Sequence, residues 1–231
     1  MNISARELLN RAESDARARI EAGKPVRLSP ETTFNAAKDE ATVFVFDAIG
    51  SWYGLDPREW VPAFNAIKAK TIHIRFNSPG GSVFDAEAMR TAISQHKSKT
   101  ISHIDGYAAS AASTLALAAD EVEISSGGML MIHDAWCATM GRAQDLEACA
   151  VMLRKTTATI ASAYALRTRK SEKQIRAWMD AETWFTAEEA KRHGFVDRIF
   201  TPGGQASNAA DPNKARRARA LALAEISLKQ I

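Results

Sequence analysis

The sequence predicts an α/β fold built on a parallel sheet, and three observations carry that expectation. Between residues 41 and 119, apolar runs rich in β-branched and aromatic residues alternate with stretches of helical periodicity. Strand, helix, strand, helix in one sense implies parallel pairing through right-handed crossovers. The 231 residues, 46% hydrophobic and 25% charged, suffice for one large domain with appendages.

Residues 4–22 open with Ser4 and Glu7 at capping-box spacing and continue in alternating charges, which reads as a peripheral helix stopped at Gly23. Pro25 and Pro30 then mark a linker. The stretch "ATVFVF" (41–46) is the first core strand. Asp56 caps a helix with Pro57 at its first position, and Phe64 and Ile67 face inward. "TIHIRF" (71–76) is the next strand and runs into the glycines of "NSPGGSVFDA". A helix over 83–95 presents Phe84, Ala88 and Ala92 as its inner face. "TISHID" (100–105) is a strand, and "SAASTLALAA" (110–119) is a helix so apolar that it must be buried.

Short strands follow at "EVEI" (121–124) and "MLMI" (129–132), then a long helix from about 145 to 166. Ser171 with Gln174 caps one further helix; Thr186 with Glu189 caps another, closed at Gly194. "FVDRIF" (195–200) is the last strand, and a Gly, Asn, Asp and Pro linker leads to a basic helix. The expected organisation is a helix and linker over 1–40, a body over 41–200, and a linker with a basic C-terminal helix over 201–231.

The net charge of +3 sits in the tail: Lys214, Arg216, Arg217, Arg219 and Lys229 against Glu225 give an excess of four, leaving the body near −1. A near-neutral body argues against a nucleic-acid channel, which needs clustered Lys and Arg. No apolar run reaches the roughly 18 residues of a membrane span, and the first 25 residues lack the apolar centre of a signal peptide, so the expectation is a cytoplasmic protein without a membrane partner. Cys137 and Cys149 have no metal-site company and no disulfide framework, and are expected as buried thiols in a reducing compartment.

Chemistry concentrates at two junctions. Paired Gly80 and Gly81 let the backbone approach a ligand and aim N–H groups at it, which suits an anion cradle or an oxyanion hole. Ser110 opens an apolar helix among small side chains, so its hydroxyl lies in the field of the helix N-terminus; an ordinary N-cap is the competing reading. Ser113 lies a turn further in, where a hydroxyl bonds back to a carbonyl. Of the five histidines, His73 and His103 fall inside strands and His96 and His193 near helix ends. His133 ends "MLMIH" at an edge of the sheet from which Ser110 emerges, where an imidazole can take a hydroxyl proton.

In order and spacing, "FNSPGG", "DGYAASAAS", "MIH" and "FTAEEAKRHGFVD" resemble the Clp protease proteolytic subunit. "GSVFDAEAM", "MIHDAW" and "MDAETWFTAEEA" are most similar to the phage and prophage branch, the Clp-like head maturation proteases. The resemblance spans about residues 41–200. It implies a fold of repeated β-β-α units shared with crotonases, and a serine endopeptidase whose nucleophile falls on Ser110 and base on His133. Its oxyanion hole falls on the N–H groups of Gly81 and Ala111. The family's aspartate aligns with Glu182, with Asp180 two residues earlier as the alternative acid. No metal or organic cofactor is implied. The implied partners are a protein or peptide substrate, further copies in a heptameric ring or stacked rings, and capsid or scaffold protein in the phage branch. Two rival readings remain: a crotonase-type acyl-CoA enzyme, against which the Ser110 and His133 pairing counts, and a non-catalytic ring that scaffolds assembly.

Overall fold

A computed structural model of the chain describes residues 32–201 apart from 52 and 53, together with positions 7, 10, 11, 14 and 18, which are helical and exposed. The rest of the helix expected over 4–22, the linker around Pro25 and Pro30, and the basic helix beyond 201 lie outside the described residues. The chain divides after Phe200 into two units, and every strand among the described residues belongs to the first.

In chain order the elements are β1 (Thr32–Asn35), β2 (Glu40–Val45), α1 (Pro57–Asn65), β3 (Thr71–Ser78), α2 (Val83–Gln95), β4 (Lys99–Ala109), α3 (Ala111–Ala116), β5 (Glu121–Ser125), β6 (Met129–Ile132), α4 (Ala143–Thr168), α5 (Glu172–Asp180), β7 (Thr183–Thr186), α6 (Ala187–His193) and β8 (Arg198–Phe200). The sheet order is β1-β2-β3-β4-β5-β8, parallel from β2 to β8, with β1 antiparallel at the edge. The parallel α/β core is therefore as the sequence predicts. Its edge strand β1, exposed and four residues long, and the equally short β7 are additions, too brief to stand out as apolar runs.

The sheet forks at β4. Ile101 to Ile104 pair with β5, whereas Tyr107 to Ala109 pair with β6, which carries β7 antiparallel on its far side. Because a second partner takes over where the first stops, β4 stays extended to Ala109 instead of ending near Asp105. The register of Ala109 with Met131 sets the ends of β4 and β6 side by side.

One face of the sheet carries the core. Ile72, Ile74, Phe76, Ile104, Val122 and Ile124 are buried against Trp60, Phe64, Met89, Ile93 and Leu115 from the helices. Asp56 accepts the N–H of Arg58 to start α1 behind Pro57, and Thr186 and Glu189 form a capping box on α6, which closes at Gly194 (φ 85°). The inner stripe of α2 is Ala86, Met89 and Ile93 with Ala92, while Phe84 and Ala88 face outward. With apolar residues on more than one side of α2, a spacing of four does not choose the face. The opposite sheet face is polar: His73 Nδ1 lies 2.9 Å from His103 Nε2, and the His103 hydrogen bond, helped by Arg198, holds the Glu123 carboxyl at about 2.

The cysteines depart from expectation. Cys137 is exposed and Cys149 half-buried, with their sulfurs 2.6 Å apart. Cys137 lies in the open segment between β6 and α4, away from the core that its apolar character suggested.

Candidate active site

Ser110 is the single residue between β4 and α3, and it takes φ 54° and ψ −129°. A non-glycine residue held there is strained, and such strain persists only where the surroundings over-determine it. They do. Its N–H donates to the Met131 carbonyl at 3.0 Å, and its own carbonyl accepts from the Ser113 N–H at 2.9 Å and the Ser113 hydroxyl at 2.6 Å. The Ser110 side chain makes no capping bond, so the N-cap reading gives way. Instead Oγ lies 2.7 Å from Nε2 of His133.

His133 is the first residue beyond β6, and the β4–β6 register brings it to Ser110. Burial pushes its imidazole below the ordinary value, opposed by the negative charges of Glu182 and, less, Asp134. The ring is therefore neutral at pH 7 and can accept a proton at Nε2 when Nδ1 carries the hydrogen.

The two candidate acids are separated by a helix end. Asp180 is the last residue of α5, while Glu182 lies in the following turn at φ 49°, its N–H donating to the Met179 carbonyl at 3.0 Å. They do not share one extended segment, so their spacing of two says nothing about facing the same way. The Glu182 charge acts on His133, and the Asp180 charge acts on Asp134, whose carboxyl burial pushes up.

The glycines run alongside. Ile49 donates its N–H to the Gly80 carbonyl and accepts the Ser82 N–H, both at 2.8 Å. In a parallel bridge of this kind the intervening residue, Gly81, turns its own N–H away from Ile49. A Cβ on Gly81 would stand 2.0 Å from the Ile49 oxygen. Gly80 is packed on the nucleophile: a Cβ there would lie 2.8 Å from the Ala111 nitrogen and 2.9 Å from the Ser110 Cβ. Ala111 is the first residue of α3, so its N–H has no acceptor within the helix.

A small cleft beside Ser110 and His133 is lined by Val83, Ala111, Thr114, Ala135, Ile160 and Tyr164. The Ala135 N–H donates to Thr157 Oγ1 of α4 at 3.1 Å, which ties the segment after His133 to that helix. Sequence reasoning missed Tyr164. Its hydroxyl lies 2.6 Å from Ser113 Oγ, across a chain separation of 51 residues that no local pattern reveals. Among the described residues no cluster of His, Cys, Asp and Glu is arranged to hold a metal, and no helix is long and apolar enough to cross a membrane.

Comparison with known proteins finds the Clp protease family matched over residues 61–203. The chain belongs to the Clp protease family. It is 31% identical over 133 residues to the ATP-dependent Clp protease proteolytic subunit of Bacteroides fragilis, covering 57% of this chain and 64% of that protein. With the same subunit of Bacteroides thetaiotaomicron the identity is 30%, over 57% of this chain and 60% of the other. The chain thus spans about three fifths of the length of the curated relatives it matches. A solved structure of a ClpP1 point mutant from Listeria monocytogenes superposes with a TM-score of 0.60 at 26% identity, covering 70% of this chain and 92% of that one. The mixed α/β fold is that of ClpP. The Clp protease match begins within α1 and ends just beyond β8, so it contains Gly81, Ser110, Ala111, His133, Asp180 and Glu182.

Proposed function

We propose that this chain is a serine endopeptidase, and the observation that carries the reading is the 2.7 Å contact between Oγ of the strained Ser110 and Nε2 of the half-buried His133. Ser110 Oγ attacks the carbonyl carbon of a peptide bond as His133 takes its proton. The tetrahedral intermediate collapses when His133 returns that proton to the leaving amine, and water then releases the acyl group by the same steps in reverse. The negative charge of Glu182 steadies the imidazolium. The N–H groups of Gly81 and Ala111 hold the oxyanion, each such donor being worth about 3–4 kcal/mol of transition-state stabilisation.

The chain works as a homo-oligomeric ring, heptameric or stacked in pairs through α4. Support comes from Leu146, Val151, Met152 and Leu166, all exposed on that helix. The Ala-rich α3, in contrast, is buried within the chain and gives no such support. By the motif variants quoted above, the substrate is capsid or scaffold protein during phage head maturation. Family membership together with the Ser110–His133 contact counts against the acyl-CoA alternative.

The test is Ser110→Ala. It removes one oxygen at a cleft edge, so fold and assembly are retained while peptide hydrolysis falls on the order of a thousandfold or more. Undiminished hydrolysis by the purified variant would overturn the reading.

A further inference from the structure

Behind the cleft, a buried chain of hydroxyls runs from α4 to the nucleophile. Tyr164 is 2% exposed and Ser113 is fully buried, and their oxygens lie 2.6 Å apart. Ser113 Oγ also lies 2.6 Å from the Ser110 carbonyl oxygen. A carbonyl has no proton to give, so Ser113 spends its single hydrogen on it. Tyr164 must then be the donor to Ser113. Burial pushes the Tyr164 phenol well above its ordinary value, so that hydrogen stays in place throughout the working pH range.

We infer that Tyr164 is a positioning residue for the oxyanion hole, acting through Ser113; this rests on the reading of Ser110 as nucleophile. The Ser110 carbonyl and the Ala111 N–H belong to one planar peptide unit and point in opposite directions. Fixing the carbonyl therefore fixes the aim of the N–H. The Met131 carbonyl anchors the peptide on the other side of Ser110, so the Tyr164–Ser113 chain completes the hold on a backbone that strain would otherwise rotate. Successive donors in one direction also polarise the peptide and strengthen its N–H as a donor.

The experiment compares Tyr164→Phe, Ser113→Ala and the double variant in the full chain. Turnover of a short peptide is measured well below the melting temperature, with active sites counted by a fluorophosphonate. Each single variant is expected to lose kcat about five- to tenfold with KM within about twofold, the size of one neutral hydrogen bond. The double variant is expected to be no slower than Ser113→Ala, because Tyr164 has nothing left to act through. The pH profile keeps its inflection, since His133 is untouched.

Unchanged kcat per counted site, with only the melting temperature lowered, would reduce the pair to a packing role and overturn the inference. Additive losses would show that Tyr164 does not work through Ser113, and overturn it equally. If the unaltered chain neither labels nor turns over, the serine-peptidase reading falls and the positioning role falls with it. If that chain is active and the variants match it, only the positioning role falls.

Discussion

Gly80→Ala probes how tightly the glycine segment is fitted to the nucleophile. Gly80 has φ 87°, where an L side chain costs about 1–2 kcal/mol. Its new Cβ would meet the Ala109 oxygen at 2.6 Å, the Ala111 nitrogen at 2.8 Å and the Ser110 Cβ at 2.9 Å. None of these is the free end of a flexible side chain. Reaching the 3.4 Å of an ordinary contact from 2.6 Å needs a shift of 0.8 Å, shared between this segment and Ser110–Ala111. A misplacement of about 1 Å at reacting groups costs on the order of a hundredfold. The expected loss in kcat is therefore about a hundredfold, with a melting temperature lower by roughly 2–8 °C for a strain of this size in a chain of this length. Gly127→Ala serves as the control, because a Cβ there meets nothing within 4 Å and its φ is not in the left-handed range. Peptide hydrolysis by titrated enzyme and thermal melts decide the matter. A folded Gly80→Ala variant with kcat within twofold of the control would refute the reasoning.

Two further predictions concern the base. Glu182→Gln removes the charge that acts on His133 and is expected to retain peptide binding but lose turnover, whereas Asp180→Asn stays within a fewfold; the reverse pattern in single-variant kinetics would transfer the role to Asp180. Because burial pushes His133 below its ordinary value of 6.5 and activity requires the neutral ring, kcat/KM is expected to be level above pH 7 and to fall as pH drops through an inflection under 6.5. In Glu182→Gln the charge that raises that inflection is gone, so residual activity should fall at still lower pH; a move upward in the pH–rate profile would contradict the assignment.

The parallel core was legible because β2, β3 and the first half of β4 are compact runs rich in β-branched and aromatic residues, separated by stretches long enough for crossover helices. What escaped was long-range. Nothing local says that β4 exchanges one neighbour for another, yet this fork sets Ser110 beside His133. Periodicity misplaced Phe84 and Ala88 because α2 is apolar on several sides, and the spacing of two between Asp180 and Glu182 does not reveal that the end of α5 falls between them. Apolar character alone sent Cys137 to the core, while the chain places it in an exposed segment. The motifs around Gly81, Ser110 and His133 could be read because they need particular residue types at fixed places. Tyr164 could not, since its contact with Ser113 exists only once α4 has packed on α3.

The measurement that tests the central claim most directly is covalent labelling of the intact chain with a fluorophosphonate, followed by peptide mapping in a mass spectrometer. A serine activated by a neutral imidazole at 2.7 Å attacks phosphorus as it attacks a carbonyl carbon, and the oxyanion hole receives the phosphoryl oxygen. The account predicts one adduct per chain, on Ser110, absent from Ser110→Ala and strongly slowed in Gly80→Ala. No adduct under conditions that label a control serine hydrolase, or an adduct on Ser113 in place of Ser110, would contradict it.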